Sequence, residues 1–375
     1  VLAPLGGMSS FVEPGERIAL KPNLLMAAAP DRAITTHPAV IEAVAEEVRE
    51  AGAEPFLLES PGAGTPYSER FLRRVYQATG VSEISSRTGL ELSYDTRAEA
   101  VSHPEGRLIK RMELLSPALE ADGLISIPKL KTHNLMAFTG AVKNLFGLIP
   151  GYSKPGYHAK LADKERFADM LLDINTRLPA RLSVMDAITA LEGEGPGSGG
   201  DARFFGSLLA SDDPVALDAI ACVVAGIDPE VVPTLAVARE RRMWTGDARD
   251  IKVEGDSVEG CSVKGFRLPE RMMRGPGLDP ERLGTRLVGQ FVKGALNSRP
   301  RPKVGRCTAC EVCVASCPSG AVSVVKQRSG AGLAQVDDER CILCYCCHEL
   351  CPEAAIDLEY KGIGRIIHGL RGLLG

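Results

Sequence analysis

The sequence predicts an α/β protein, a layered and mostly parallel sheet with flanking helices, followed by a small α+β module. Three observations carry this expectation. Short apolar runs alternate with amphipathic segments from residue 17 to about residue 227, the pattern of strands joined by crossover helices. A Pro-, Gly- and Arg-rich stretch, residues 268–302, then ends the alternation. Beyond it, one cysteine phrase occurs twice. A chain of 375 residues has room for more than one domain. The expected division is 1–267 for the α/β body, 268–302 for a linker, 303–360 for the cysteine module and 361–375 for a terminal amphipathic helix.

The elements follow in order. Residues 17–20 (RIAL) read as the first strand, running into Lys21-Pro22-Asn23. The chain starts at Val1 with a strand close behind, so an earlier N-terminal segment is expected, and the question of an export signal stays open. Residues 38–51 read as a helix, with Thr36 placed to cap it and Gly52 to end it. Residues 55–60 (PFLLES) are the next strand and 67–79 the next helix. Residues 123–129 (GLISIPK), 181–186 (RLSVMD) and 204–211 (FFGSLLAS) read as further buried strands. Helices are expected near 135–145, 164–177 and 214–224, with 132–134 positioned to cap the first. Residues 191–200 (LEGEGPGSGG) have the composition of a flexible lid. At the end, Ile363, Ile366, Ile367, Leu370 and Leu374 share one helical face. That face is expected to pack on the body, with membrane-surface or partner docking as the alternative.

The cysteine phrase is Cys307-x2-Cys310-x2-Cys313-x3-Cys317-Pro318, repeated as Cys341-x2-Cys344-x2-Cys347-x3-Cys351-Pro352. This is the spacing of a bacterial ferredoxin, in which the fourth cysteine of each run ligates the other cluster. Three close cysteines wrap one face of a cubane, and a fourth on the same loop cannot reach round it. The expectation is two 4Fe–4S clusters: Cys307, Cys310, Cys313 and Cys351 for the first, Cys341, Cys344, Cys347 and Cys317 for the second. Two zinc sites are the alternative, but zinc needs neither the third cysteine at this interval nor the proline. Residues 321–325 and 354–358 are short apolar runs one motif apart, expected to form two small hairpins. Of the eleven cysteines, Cys346 is left as a bystander or a group tuning the sulfurs, and Cys222 and Cys261 as structural filling.

In open parallel sheets, ligands bind beyond the carboxyl ends of the strands. Here those ends carry Lys21 and Asn23, Glu59 and Ser60, Lys129, Lys131 and His133, and Asp186. Lys129 and Lys131 suit a carboxylate or phosphate, and His133 a proton transfer near neutral pH. Asp186 or Glu59 suits the orientation of a cation or hydroxyl. Each residue has a plain structural reading too, as a surface lysine or a helix cap. Residues 61–65 (PGAGT) resemble a phosphate cradle but lack the P-loop lysine.

Composition excludes other classes. A net charge of −4 offers no basic field for nucleic acid. No run of 18 apolar residues predicts a transmembrane segment. Eight cysteines committed to iron need reduced thiolates, which points to a reducing cytoplasm.

Six blocks taken together, KPNLL, TTHP, PKLKTH, GAVKNLFGLIPG, MDAITALEGEGP and SDDPVALD, resemble the family called domain of unknown function 362. Members of that family often carry a C-terminal dicluster ferredoxin module. The resemblance spans roughly residues 10–265, and the ferredoxin resemblance 303–360. It implies that Lys21, Asn23, His37, Lys129, Lys131, His133, Lys143, Asn144, His158 and Asp186 are positions of interest. Lys143, Asn144 and His158 enter mainly on this ground.

The functional expectation is an iron–sulfur oxidoreductase passing electrons through two 4Fe–4S clusters to a small anionic substrate. Lys131, His133 and Asp186 are the expected catalytic residues. Lys21, Asn23, Lys129, Lys143, Asn144 and His158 are expected to bind substrate. A redox partner protein would give or take the electrons. The alternative is a ferredoxin-like carrier or adapter docked on a larger complex, with clusters as structural staples or sensors a third option. The enzyme reading requires the cleft to face a cluster.

Overall fold

The computed structural model describes residues 1–62, 67–161, 163–270, 298–327 and 332–359. The expected terminal helix, most of the expected linker and most of the glycine turn at 61–65 lie outside the described residues.

The central sheet is built from β1 (Arg17–Pro22), β2 (Glu54–Leu57) and β3 (Glu91–Leu92), all parallel. A separate antiparallel hairpin, β4 (Ala98–Ser102) and β5 (Arg111–Leu115), precedes β6 (Gly123–Ile127), β7 (Lys129–His133) and β8 (Ala137–Thr139). β6 pairs parallel with β1, and β6 and β7 run in turn along β9 (Leu182–Gly193). Pro128 separates them, so the single strand expected at 123–129 is in fact two. β10 (Gly200–Ser211) returns antiparallel to β9.

Strand residues feed two cores by alternation. Ile18, Leu20, Leu57, Ile125, Ile127, Leu182 and Val184 pack with the helix Pro38–Glu50. Ala19, Phe56, Leu58, Leu124, Met185 and Ala187 pack on the other face with the helices Lys164–Arg177 and Pro214–Val224. The result is a sheet between two helical layers, as the apolar runs predict.

Several local expectations change. The first helix is capped by His37, whose Nδ1 accepts from Ala39 N at 3.2 Å, and not by Thr36. Thr36 Oγ1 accepts from Asn23 N at 2.9 Å and donates to the Ile127 carbonyl at 2.7 Å, tying the ends of β1 and β6. Gly52 ends the helix as expected, at φ 89°. The helix expected near 135–145 is instead β8, the short helix Ala141–Asn144 and a tight turn Leu145–Leu148. Leu135, Met136, Phe138, Val142 and Leu145 are buried in three different local conformations, so no single period holds. Residues 132–134 accordingly cap no helix. The lid expected at 191–200 is the end of β9 and its turn into β10, packed against the second cysteine run. A Cβ at Gly197 would overlap the Glu349 carbonyl oxygen.

The C-terminal module contains β11 (Arg299–Pro302), β12 (Val322–Lys326), β13 (Gly332–Val336) and β14 (Ile356–Glu359). β12 and β13 form the expected hairpin, whereas β14 pairs antiparallel with β11. The Arg-Pro repeat expected in a linker is therefore a strand, fastened by Arg301 Nη2 on Asp338 at 2.7 and 2.8 Å. Among the described residues, no helix is long and apolar enough to cross a membrane.

Candidate functional site

Both cysteine runs fold into the same tight loop. Ala309 and Glu311 in the first, and Leu343 and Tyr345 in the second, take left-handed backbone at φ 55°, 62°, 57° and 61°. Such a conformation costs a non-glycine residue about 1–2 kcal/mol, and its recurrence at matched positions marks a shared constraint. The loops aim peptide N–H groups at sulfur. Ala321 N donates to Cys317 Sγ at 3.1 Å, Ala355 N to Cys351 Sγ at 3.2 Å and Ala334 N to Cys307 Sγ at 3.5 Å.

The thiols gather across the two runs. Cys307, Cys310, Cys313 and Cys351 line one cavity. Burial, with Cys351, Cys310 and Cys307 alongside, pushes Cys313 up to about 11. Burial likewise raises Cys341, which has Cys344 and Cys317 as neighbours. All eleven cysteines are free thiols. Among the described residues, no group of three or more His, Cys, Asp or Glu side chains is placed to hold a metal ion directly; the first four thiols surround space. Four cysteines around one cavity, with peptide N–H donors on Cys307 and Cys351, fit an iron–sulfur cluster.

The second functional feature is a cleft beyond the carboxyl ends of β1 and β2. Its polar wall carries Lys21, Asn23, Glu59, Lys131, Lys143 and Lys154; Leu24, Leu25, Phe146 and Leu350 supply apolar surface. Cys346 and Glu349, from the second cysteine run, close one side. Lys21 Nζ pairs with Glu59 Oε1 at 2.7 Å, both nearly inaccessible. Glu59 also accepts from Leu24 N at 2.7 Å and Ser60 N at 2.8 Å, which fixes the turn after β2. Lys131 Nζ donates to Asn23 Oδ1 at 2.9 Å and the Ile34 carbonyl at 2.8 Å. Asn144 Nδ2 bridges the Lys21 carbonyl at 2.9 Å and Ser126 Oγ at 3.0 Å, while its Oδ1 accepts from Asn23. Lys154 Nζ donates to the carbonyls of Ser60 and Pro61.

Burial dominates the electrostatics. It lowers Lys21, Lys131 and Lys143, and takes Lys154 down to about 7, with Lys21 and Lys143 pushing the same way and Glu59 opposing. Hydrogen bonds from Lys154 to two carbonyls favour its charged form. His158 is lowered to about 3 by burial and by Lys143 and Lys154, so its imidazole is neutral.

The structure gathers Lys21, Asn23, Lys131, Lys143, Asn144 and His158 on the cleft wall. Lys129 and Asp186 lie behind it, joined at 2.7 Å. Asp186 also accepts from His37 N at 2.8 Å, so it braces the start of the first helix. His133 is buried, and its Nδ1 accepts from Leu135 N at 3.0 Å and Met136 N at 3.3 Å. Glu349 Oε1 approaches that same nitrogen to 3.5 Å, but a nitrogen already accepting two N–H groups has no proton for it. Sequence reasoning missed Thr139, Lys154 and Glu349. Glu349 had one signal: the three residues before the fourth cysteine are Val-Ala-Ser in the first run and His-Glu-Leu in the second. Cys346 is buried and joins the apolar cluster at the junction, with Cys344 packed against it.

The cysteine module also meets the body through polar and apolar contacts here. Asn134 Nδ2 donates to His348 Nε2 at 3.2 Å, the other ring nitrogen of His348 being engaged by the Ile356 carbonyl at 2.5 Å. Met26, Ile34, Leu191, Cys346 and Leu350 form a small apolar cluster across the junction.

Comparisons with known proteins bear on both parts. Residues 306–355 match a 4Fe-4S dicluster domain, which supports an iron–sulfur electron-transfer role. The thylakoid-associated protein sll1697 of Synechocystis sp. (strain ATCC 27184 / PCC 6803 / Kazusa) is 36% identical over 277 residues, 73% of this chain and 82% of that protein. Among solved structures, the lactate racemase apoprotein from Thermoanaerobacterium thermosaccharolyticum is a distant likeness. It has a TM-score of 0.38 and 14% identity, over 59% of this chain and 52%, about half, of that one. Residues 18–223 match the family described as Domain of unknown function (DUF362), and the chain belongs to that family.

Proposed function

We propose that this protein is an iron–sulfur oxidoreductase that delivers electrons to a small anionic substrate held in the lysine-lined cleft. One observation carries the reading. The cleft has two walls of different origin: lysines from the strand ends, and Cys346, Glu349 and Leu350 from the second cysteine run. The substrate would therefore sit directly beside one cluster-binding loop.

Two 4Fe–4S clusters would be held by Cys307, Cys310, Cys313 and Cys351, and by Cys341, Cys344, Cys347 and Cys317. When bound, such clusters supply electrons one at a time. The chain's residues do the rest. Lys131 and Lys143 hold the substrate's negative charge, and Lys21, neutralised by Glu59, fixes the floor. The apolar side chains of Leu24, Leu25, Phe146 and Leu350 exclude water, which strengthens each charge–charge contact. Reduction of a carbonyl or carbon–carbon double bond consumes two electrons and two protons. Lys154, at about 7, is suited to deliver one at Nζ near neutral pH, and the second is taken from solvent as the product leaves. Cys310 is exposed whereas Cys346, Cys347 and Cys351 are buried, so a redox partner protein would supply electrons on the Cys310 side.

The test is a reoxidation screen. Iron-loaded protein is reduced anaerobically, and small carboxylates and phosphates are added while the brown absorbance is followed. A substrate restores the oxidised spectrum catalytically, and Lys131→Met abolishes this at unchanged iron content. If no such anion is turned over and Lys131→Met exchanges electrons with protein partners as wild type does, the carrier reading replaces the enzyme.

A further inference from the structure

We infer that Lys143 Nζ, Thr139 Oγ1 and the His158 imidazole form a receptor for one oxyanion group, a carboxylate or a phosphate, of the ligand in the cleft. The inference rests on the proposed function of the cleft and assigns the residues that recognise the substrate there.

Of the cleft ammonium groups, Lys21 is engaged by Glu59, Lys131 by Asn23 and Ile34, and Lys154 by Ser60 and Pro61. Among the described residues, Lys143 has no hydrogen bond or ion pair, although an ammonium carries three donors; the Glu349 carboxylate, whose Oε1 also makes no hydrogen bond, is the opposite charge that acts on it most. Thr139 is 2% exposed and its Oγ1 has no partner. His158 is 5% exposed and its Nδ1 has none either. All three line the same cleft. Buried polar atoms are almost always bonded, so unpartnered groups meeting in one cavity mark a place where something else binds.

Each group is held ready by contacts that leave its polar atoms free. The His158 ring stacks on Phe167 at 4.6 Å and 23°, and meets Phe146 edge-on at 5.8 Å and 86°. Those contacts fix the imidazole without using either nitrogen. Lys143 rides on the short helix whose first N–H groups, Ala141 N and Val142 N, are taken by Asp218 at 2.5 and 3.1 Å. Gly140 permits that approach, since a Cβ there would overlap Asp218 Oδ1. Thr139 lies opposite Lys131 in the β7–β8 pairing. The ammonium, the hydroxyl and the N–H of a neutral imidazole are donors of different direction, and an oxyanion has lone pairs for all of them. A cationic or wholly apolar ligand has none.

A cation this close to the second cysteine run has a rival role, balancing the charge of a cluster. Thr139 separates the two, because its removal changes no charge. The experiment uses the full iron-loaded chain under anaerobic conditions, titrated calorimetrically with inorganic phosphate and, separately, with malonate. Wild type is expected to bind at least one saturably, and which one identifies the anion class. Thr139→Val and His158→Phe should each weaken it roughly tenfold or more, as expected for loss of a hydrogen bond to a charged group. Lys143→Met should weaken it further, and Thr139→Val should leave the cluster reduction potentials unmoved. If wild type binds while Thr139→Val binds equally well, the receptor is wrong and the cleft reading stands. If Lys143→Met shifts a cluster potential without changing affinity, Lys143 serves the cluster and the receptor is likewise overturned. Failure of wild type to bind either probe also overturns it, leaving the reoxidation screen to judge the proposed function.

Discussion

The proposed exchange of fourth cysteines between the two runs makes a sharp prediction for paired substitutions. Cys351 faces the same cavity as Cys307, Cys310 and Cys313, and Cys317 adjoins Cys341. Crossed ligation then places Cys317 and Cys341 on one cluster. In the double variant Cys317→Ala/Cys341→Ala, that cluster keeps two of its four ligands and is lost, while the other keeps all four. Iron should fall from about eight to about four atoms per chain, the content of one 4Fe–4S cluster. In Cys313→Ala/Cys317→Ala, each cluster loses one ligand, so no four-iron cluster stays fully ligated. If each run instead ligated its own cluster, the outcomes would swap. Iron analysis together with integrated paramagnetic resonance of the reduced protein counts the intact clusters. One intact cluster in Cys313→Ala/Cys317→Ala and none in Cys317→Ala/Cys341→Ala would refute the crossed arrangement. Zinc in place of iron in the wild type would refute the assignment altogether.

Other predictions concern the cleft. Glu59→Gln leaves the Lys21 ammonium buried without its carboxylate and should cost about 3–5 kcal/mol. Urea unfolding followed by the fluorescence of Trp244, the single tryptophan, reads this, and a loss below about 1 kcal/mol would contradict the buried pair. Gly147→Ala sets a Cβ 2.5 Å from Lys21 Nζ and 3.0 Å from Glu59 Oε1, and should weaken anion binding in the cleft while iron content is retained. Lys154 is at about 7 in the folded chain against 10.5 for an ordinary lysine, so the unfolded chain binds more protons between those values. Stability should therefore rise as pH climbs from about 7 towards 10.5 and fall as pH drops back through 7, by at most roughly 5 kcal/mol. Lys154→Met should flatten that slope in the same urea assay.

What the sequence makes legible is what depends on neighbours in the chain. Ligand spacing within each cysteine run is local, so the runs can be read directly. The helices Lys164–Arg177 and Pro214–Val224 match their expected bounds because Asp163 and Asp213 cap them in place. Burial on every side erases periodicity, so residues 135–145 resemble a helix and are not one. Arg299–Pro302 shows a different failure. Proline usually argues against a strand, yet among the described residues β11 pairs only with β14, and an edge tolerates the missing N–H. The strand-end rule finds Lys21, Asn23 and Lys131, but it cannot say which polar group faces inward. Lys129 and Lys131 lie two residues apart on one strand, and one braces Asp186 while the other lines the cleft.

The two cysteine loops are near copies in backbone and unlike in surroundings. Their left-handed residues match position for position, so each loop taken alone would hold its cluster alike. The asymmetry comes from side chains only the second run has. His348 meets Asn134, Glu349 approaches His133 and backs onto Gly197, and Leu350 enters the apolar cluster with Met26 and Ile34. The corresponding Val314, Ala315 and Ser316 have no such reach, and Cys310 stays at the surface. A duplicated carrier motif thus acquires one open end and one end sealed against a cationic cleft. The burial is explained if electrons enter at the open loop and are used at the closed one.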